Sequence, residues 1–203
     1  MSHKTTFGNG TDFAAFDEDE QLTMHGSGKV TFETRLDIDV TTQIAQAKPT
    51  IVYRGIVRGF SLPVYNTDNE ELFAGQDVPF RWDGVSNPTV HVHCYCPSAN
   101  TAKKFQLRAS WEHYGVDNGA VPDTSNDVDI ETITGTDAVN HPYEISIPID
   151  YDIDGVGNEL CAGDAISLRI HRIAASADEI AGEVVITHVG IVWIRNKLGA
   201  AVV

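Results

Sequence analysis

Two histidines with one residue between them, His91 and His93, have the spacing with which one β-strand could chelate a transition metal. Alternate side chains of a strand point to the same face, so both imidazoles would lie side by side. Imidazole nitrogen is a common ligand of Zn, Fe, Mn and Cu. The pair is therefore the first candidate for metal chemistry in this chain.

The residues around the histidine pair argue against a metal site. Cupin-type metalloenzymes follow an H-x-H pair with a nearby Glu and a distant His, for which His171 would be the candidate here. The residues that follow, from Cys94 to Pro97, supply no carboxylate. The apolar residues of the strand occupy the opposite phase, so both histidines should point away from the core, whereas His113 has the inward phase of its own strand. We expect surface or subunit-contact histidines, with metal binding by His91 and His93 left open.

A second candidate is an acidic segment that begins like a calcium loop. Asp150, Asp152 and Asp154 alternate and are followed by Gly155, which matches the first half of an EF-hand loop. That loop needs a bidentate Glu at its twelfth position, and Cys161 stands there. A solvated acidic strand face is the simpler interpretation, and calcium binding by the three aspartates stays open.

Charge is the third feature, and it excludes several partners. The 203 residues carry 29 acidic and 14 basic side chains, a formal net charge of −15. Such a surface repels phosphate backbones and anionic lipids. Between Arg108 and Arg169 there are thirteen carboxylates and no Lys or Arg, a block expected on solvated faces and loops.

Signatures of nucleophilic or phosphate chemistry are absent from the sequence. Gly26-Ser27-Gly28 lacks the strand and elbow of a G-x-S-x-G motif, and no P-loop or dinucleotide fingerprint occurs. Cys94, Cys96 and Cys161 are odd in number and lack zinc-ligand spacing, so we expect reduced core thiols formed in a reducing cytoplasm. The sequence predicts a protein without enzymatic activity and without a cofactor.

The elements that must carry these residues are β-strands. The chain has 20 Val, 17 Ile and 17 Thr against 8 Leu, a balance typical of sheets. Period-2 alternation runs through several segments, of which the clearest are 30–40, 89–96, 105–111, 143–153, 165–173 and 183–194. Short strands at this spacing predict an all-β, antiparallel jelly-roll-like sandwich.

Three segments make up the predicted domain organisation. Residues 1–28, rich in Gly, Thr, Asp and Ser, should form an extended N-terminal arm with at most one short strand. Residues 29–195 should form the sandwich, and residues 196–203 a C-terminal tail. No apolar run approaches the ~20 residues that span a bilayer, and no apolar signal segment follows Met1.

Several short motifs taken together resemble a family of structural proteins of tailed phages, over roughly residues 20–195. They are Leu22–Val30, Ile51–Phe60, Glu70–Phe73, His91–His93, Trp111–Tyr114 and Leu160–Arg172. Two positions depart from that pattern, Cys94 after the histidine pair and Asp178-Glu179 near the last loop. The resemblance implies a jelly-roll-like virion component without catalytic activity.

Two functions from different classes follow as expectations. The first is a non-enzymatic virion protein, a capsid decoration or head–tail accessory, assembled in the host cytoplasm. Its partners would be copies of itself, as a homo-oligomer such as a trimer, and the major capsid protein. The alternative is a tail-associated receptor- or glycan-binding module, whose stacking platforms would be among Trp82, Trp111 and Trp193, although Trp111 has a core phase. A cupin-like metalloenzyme is a distant third.

Overall fold

The computed structural model describes residues 6–9, 12–16, 22–25, 30–36, 38–39, 48–64, 70–98, 102–115, 125–133, 139–153, 159–195 and 197–198. Its strands are β1 Thr6–Asn9, β2 Asp12–Phe16, β3 Leu22–His25, β4 Val30–Arg35, β5 Ile38–Asp39, β6 Thr50–Arg54, β7 Val57–Leu62, β8 Glu71–Asp77, β9 Thr89–Tyr95, β10 Lys104–Tyr114, β11 Asn126–Ile133, β12 Pro142–Pro148, β13 Ala165–Ile173, β14 Val184–Arg195 and β15 Lys197–Leu198. These residues form no α-helix, and thus no helix able to cross a membrane.

Two antiparallel sheets form a sandwich around one hydrophobic core. The six-stranded sheet has the order β12-β9-β14-β7-β6, with β4 also paired to β14. The five-stranded sheet has the order β11-β10-β13-β8-β5. The predicted all-β, jelly-roll-like sandwich is thereby confirmed.

Alternation decides which side chains fill the core. In β13, Ile166, Leu168 and Ile170 are buried while the residues between them stay half-buried. In β10, the predicted inward face of Phe105, Leu107, Ala109 and Trp111 is buried in full. Fully burying a large apolar side chain contributes roughly 1.5–3 kcal/mol, so these faces fix which side of each strand meets the opposite sheet.

The alternating run 30–40 is divided between the two sheets rather than forming one strand. β4 pairs with β14 in the six-stranded sheet, whereas β5 pairs with β8 in the five-stranded sheet. Leu36 lies between them, buried, and its amide donates to the Val189 carbonyl at 3.0 Å. The alternation of apolar and polar residues continues where the chain passes from one sheet to the other, so the sequence does not reveal this change of sheet.

Thr34, the one polar residue on the apolar side of that run, links the two sheets. Its hydroxyl oxygen accepts a hydrogen bond from Nε1 of Trp193 at 2.9 Å and from Nε2 of Gln76 at 2.8 Å. Trp193 belongs to β14 and Gln76 to β8, so strands of both sheets meet at one oxygen. The indole N–H of a buried Trp needs such a partner, and Thr34 supplies it.

β6 and β7 form a hairpin closed by Gly55 and Ile56. Gly55 has φ +60°, which L side chains rarely adopt, and a two-residue turn with Gly at its first central position is a favoured hairpin connection. Gly55 is thus the residue whose backbone conformation makes the turn.

The described parts of the N-terminal arm contain more strand structure than predicted. β1, β2 and β3 form an antiparallel sheet of the order β1-β2-β3-β15. β15 lies in the predicted C-terminal tail and pairs with β3 through Lys197 opposite Thr23.

Arg172 is the buried cation that fastens the loop before β14 to the sandwich. Its guanidinium forms an ion pair with Glu179 and donates to three carbonyls: Pro63 at 3.1 Å, Gly182 at 2.6 Å and Ile180 at 2.8 Å. The second Glu179 carboxylate oxygen accepts from the amide of Ala175 at 2.6 Å. A buried guanidinium with every donor directed at an acceptor is stable only while the whole set stays intact.

Replacing Arg172 by Met should therefore destabilise the fold by about 3–5 kcal/mol, because three main-chain carbonyls and the half-buried Glu179 carboxylate would lose their donor. Arg108→Met, which removes a half-exposed ion pair, should cost no more than about 1 kcal/mol. Urea unfolding followed by tryptophan fluorescence measures both variants. A double variant, Arg172→Met with Glu179→Gln, should recover part of the loss. Equal losses for Arg172→Met and Arg108→Met would contradict this role.

Candidate functional site

A row of polar side chains crosses the outer face of the six-stranded sheet. Glu144, His93 and His188 lie opposite one another on β12, β9 and β14. Nε2 of His93 lies 3.2 Å from a Glu144 carboxylate oxygen, and Nδ1 of His91 lies 4.0 Å from the other oxygen. The predicted outward direction of His91 and His93 is confirmed, since both rings are partly exposed on this face.

A β-bulge in β14 brings His188 into this row. The register with β9 shifts between Ile186 and His188, leaving Thr187 as the extra residue. Without the extra residue, the phase of Val184 and Ile186 would direct residue 188 into the core; with it, Val189 and Ile191 point inward. His188 thus lies outside, with its ring centroid 4.9 Å from that of His93.

The row ends on β4. Nε2 of His188 lies 2.9 Å from a carboxylate oxygen of Glu33. A side chain at Gly190 would meet this carboxylate at 2.3 Å, so the glycine leaves the space that the pair occupies. The sequence does not point to His188 and Glu33, because the two residues lie 155 positions apart and meet only when β4 pairs with β14.

A groove of about 440 Å³ opens beside this row, toward the β6–β7 hairpin. Its lining residues are Arg54, Val57, His93, Cys94, Tyr95, Asn140, Pro142, Tyr143, Glu144 and Thr187. The Thr187 hydroxyl donates to the His93 carbonyl at 3.2 Å, which fixes the bulge against the groove. The Tyr143 ring packs edge-on against Phe105 and His141, with centroids 6.0 and 5.1 Å away.

Charged, neutral polar and apolar residues all line the groove. Arg54 contributes a guanidinium, Glu144 a carboxylate and His93 an imidazole, while Asn140 and Thr187 add neutral hydrogen-bonding groups. Val57, Pro142, Tyr95 and Tyr143 are the apolar and aromatic residues of the lining. Such a volume lies within the roughly 300–1,000 Å³ typical of small-molecule sites.

The remaining candidate histidines do not join this face. His171 lies on β13, in the other sheet, so it cannot complete a cupin-like set with His91 and His93. His113 points inward as predicted, and its Nδ1 lies 3.2 Å from a carboxylate oxygen of Asp164. In the described part of the chain, no group of three or more His, Cys, Asp or Glu residues is placed to hold a metal.

The acidic turn after β12 holds two carboxylates close together. Asp150 and Asp152 are exposed, and the hydrogen bond between them raises the pKa of Asp152. Asp154, the third predicted ligand, lies outside the described residues. The two described aspartates therefore share a proton-dependent contact, and calcium binding by the three aspartates stays a prediction.

Part of the predicted acidic block is neutralised by its neighbour strand. Arg108 on β10 donates to both carboxylate oxygens of Asp129 at 2.6 and 2.8 Å and lies 3.3 Å from Asp127. Lys104 binds Glu131 at 2.7 Å, and this bond, with those from Ser176, lowers the pKa of Glu131 to about 2. The predicted solvated face is exposed at Asp127 and Asp129, and β10 supplies cations to it across the strand pair.

The cysteines divide into two kinds. Cys94 and Cys96 are buried and free, as predicted; burial raises the pKa of Cys94 far above its usual range and that of Cys96 to about 11. Cys161 is exposed, so the prediction of a core thiol is wrong there. Partial burial and the carboxylates of Asp164 and Glu159 raise its pKa, which disfavours a reactive thiolate.

The three tryptophans are not stacking platforms. Trp82, Trp111 and Trp193 are all buried in the core, and Trp82 packs edge-on against Trp193 at 5.7 Å between centroids. Of the two tyrosines that line the groove, Tyr95 is buried and Tyr143 packs toward Phe105 of the core. The sequence does not reveal that Trp82 and Trp193 are buried, because a residue beside a turn or near a strand end has no clear phase.

Comparisons with known proteins give neither a matching family model nor a matching curated protein. Among solved structures, the chain is similar to a xylan-binding module, CBM15, at 12% identity and a TM-score of 0.41, covering 82% of this chain and 97% of that one.

Two further carbohydrate-binding modules are similar. A family 11 module from Clostridium thermocellum, in complex with a β-1,3-1,4-mixed-linked tetrasaccharide, shares 9% identity over 82% of this chain and 89% of that one, with a TM-score of 0.38. CBM28, specific for non-crystalline cellulose, shares 13% identity over 73% of this chain and 78% of that one, with a TM-score of 0.35. Similarities this low carry no argument about function.

His171 gives the fold a defined sensitivity to acid. Its Nδ1 is buried without a hydrogen-bond partner, and burial, then Arg169 and Arg108, lower the pKa of His171 to about 4, against the opposing charges of Asp127 and Asp129. The folded state therefore binds this proton less readily than the unfolded chain, whose His titrates near 6.5.

We expect about 2–3 kcal/mol of stability to be lost as the pH falls from about 6.5 to 4, with little further contribution from this group below 4. His171→Gln should flatten that part of the profile. Asp129 and Glu131 have lowered pKa values, so their contribution is lost mainly below pH 4.5, in a separate window. Urea midpoints measured at half-unit pH steps would contradict this account if both proteins lost stability equally between 6.5 and 4.

Proposed function

We propose that this chain is a non-catalytic binding module that takes a neutral carbohydrate in the groove of the six-stranded sheet. The observation that carries the proposal is the groove lining, which combines hydrogen-bond donors and acceptors with apolar and aromatic residues. A sugar presents the complementary surface, with hydroxyls that donate and accept at its edge and C–H groups on its faces.

The charges of the groove favour a neutral ligand over an ion. An anion placed against Arg54 would also meet Glu144, and a cation placed against Glu144 would also meet Arg54. The net charge of −15 further disfavours polyanions. A carboxylate and a guanidinium each accept or donate two hydrogen bonds, which suits pairs of neighbouring hydroxyls.

The groove also suits binding without chemistry. Glycoside hydrolysis ordinarily needs two carboxylates about 5–10 Å apart across the scissile bond. Among the described lining residues Glu144 is the one carboxylate, and it is paired with His93. Its role in the proposal is to accept sugar hydroxyls, with His93 holding the carboxylate in place.

A second candidate is the virion component that the sequence motifs suggest, built into a phage particle in the host cytoplasm. The observation that favours it is the β6–β7 hairpin, which exposes Ile51, Tyr53, Ile56 and Val57. Apolar side chains gathered at one edge are typical of protein contact sites. A glycan-binding module carried on a particle would satisfy both candidates.

Binding to soluble polysaccharides tests the first proposal. Affinity electrophoresis against xylan, mixed-linked β-glucan, soluble cellulose derivatives and an α-glucan should show retardation by at least one of them. With the oligosaccharide of the retarding polymer, calorimetry should show at least a tenfold loss of affinity for Glu144→Gln and for His93→Ala, about 1.4 kcal/mol or more.

Glu112→Gln, which removes a carboxylate from the other sheet, is the matched control and should bind as the unchanged protein does. The proposal is overturned if no neutral glycan of a broad array is retained. It is equally overturned if both groove variants bind as tightly as the control.

Co-sedimentation tests the second candidate. Phage particles that encode this chain should carry it at a fixed copy number after density-gradient purification. Ile51→Lys with Tyr53→Lys should lower that copy number at least fivefold, because charges replace the apolar contact. Phe80→Lys, an equally exposed aromatic outside the hairpin, should leave it unchanged. Absence of the chain from purified particles would remove this candidate.

A further inference from the structure

β6 is an edge strand of the six-stranded sheet with an apolar surface. Among the residues that the structure describes, it pairs with β7 alone. Half of the large apolar side chains exposed in this part of the chain belong to its hairpin: Ile51, Tyr53, Ile56 and Val57. Tyr53 is 69% exposed and Ile56 is fully exposed. The strand itself carries neither Pro nor Lys, the residues that commonly protect such an edge from pairing.

The hairpin turn determines which main-chain groups face outward. A two-residue turn joins Arg54 and Val57 by a main-chain hydrogen bond, so this is a hydrogen-bonded pair. Hydrogen-bonded and non-hydrogen-bonded pairs alternate along an antiparallel ladder. The N–H and C=O groups of Val52 therefore point to β7, while those of Ile51 and Tyr53 point to the open edge.

These outward groups are complementary to a second copy of the same strand. If the two-fold axis passes between the two Val52 residues, Ile51 of each copy lies opposite Tyr53 of the other copy. Both pairs exchange two hydrogen bonds, which gives four in total. An aromatic side chain opposite a β-branched one is a favourable cross-strand pair. A register centred one residue away would bring Pro49 or Gly55 opposite an outward group.

Charge also permits this pairing. The chain has no Asp or Glu from residue 40 to residue 67, although 29 of its 203 residues are acidic. In the register given, Arg54 lies opposite Thr50 of the other copy, and the two Arg54 residues stand about 14 Å apart. That exceeds the Debye length of about 8 Å at physiological ionic strength. The mutual repulsion of two acidic chains is thus weakest at this edge.

We propose that the chain forms a two-fold symmetric dimer through antiparallel β6–β6 pairing, which joins the two six-stranded sheets into one. An axis perpendicular to the sheet keeps both outer faces on the same side. The two grooves, each bounded by Arg54 and Val57 of the hairpin, would then open side by side. The dimer does not depend on the identity of the ligand; with a polymeric ligand it would add avidity.

A register-specific disulfide tests the pairing. In Cys161→Ser protein, which lacks the exposed native thiol, Val52→Cys places two thiols at a non-hydrogen-bonded pair with Cα atoms about 4.5 Å apart. That distance permits a disulfide. Ile51→Cys is the matched control, since its copies would stand roughly 9 Å apart, beyond disulfide reach. Mild oxidation should give a covalent dimer at least tenfold faster for Val52→Cys.

The mass in solution tests the same proposal without cysteines. Sedimentation equilibrium should show a dimer of the unchanged protein, and a folded monomer for Ile51→Lys with Tyr53→Lys. Phe80→Lys, which replaces an aromatic that is 70% exposed outside the hairpin, should remain a dimer. A monomeric unchanged protein at 100 μM, or equal cross-linking of residues 51 and 52, would overturn the proposal.

Discussion

The bulged strand β14 is the constraint on which the rest of the structure depends. One edge of it pairs with β9, and the other edge holds β7 at one end and β4 at the other. A single strand therefore sets the register of three others. Its bulge keeps apolar residues in the core along both halves and turns Thr187 and His188 to the outer face. The bulge therefore shapes both the core and the candidate site.

A small number of buried polar contacts hold the sheets in a single relative position. Thr34 joins β14 to β8 through Trp193 and Gln76, and Arg172 ties the loop before β14 to the end of β7. Apolar packing between the sheets is non-directional, whereas these bonds are satisfied in one arrangement only. The strands that line the groove, β9, β12, β14 and the hairpin, all belong to one sheet, so their relative positions are set by the same pairing.

The proposed function rests on the asymmetry between the two outer faces. On the five-stranded sheet, Arg108 and Lys104 are paired with the carboxylates of β11, which leaves a compensated surface. On the six-stranded sheet, Arg54 and Glu144 instead border an open groove, beside a hairpin with exposed apolar side chains. The proposed ligand site and the proposed pairing edge thus adjoin on the same sheet.

The sequence by itself determined the strand content, the inward faces of β10 and β13 and the outward direction of His91 and His93, because alternation with period 2 is a local property. The tertiary structure alone decided the division of residues 30–40 between two sheets, the burial of Trp82 and the pairing of Asp129 with Arg108. It also decided the site, where Glu33 and His188 meet across 155 positions. Alternation says which residues share a face; which strands become neighbours, and where one extra residue reverses the phase, depends on contacts distant in sequence.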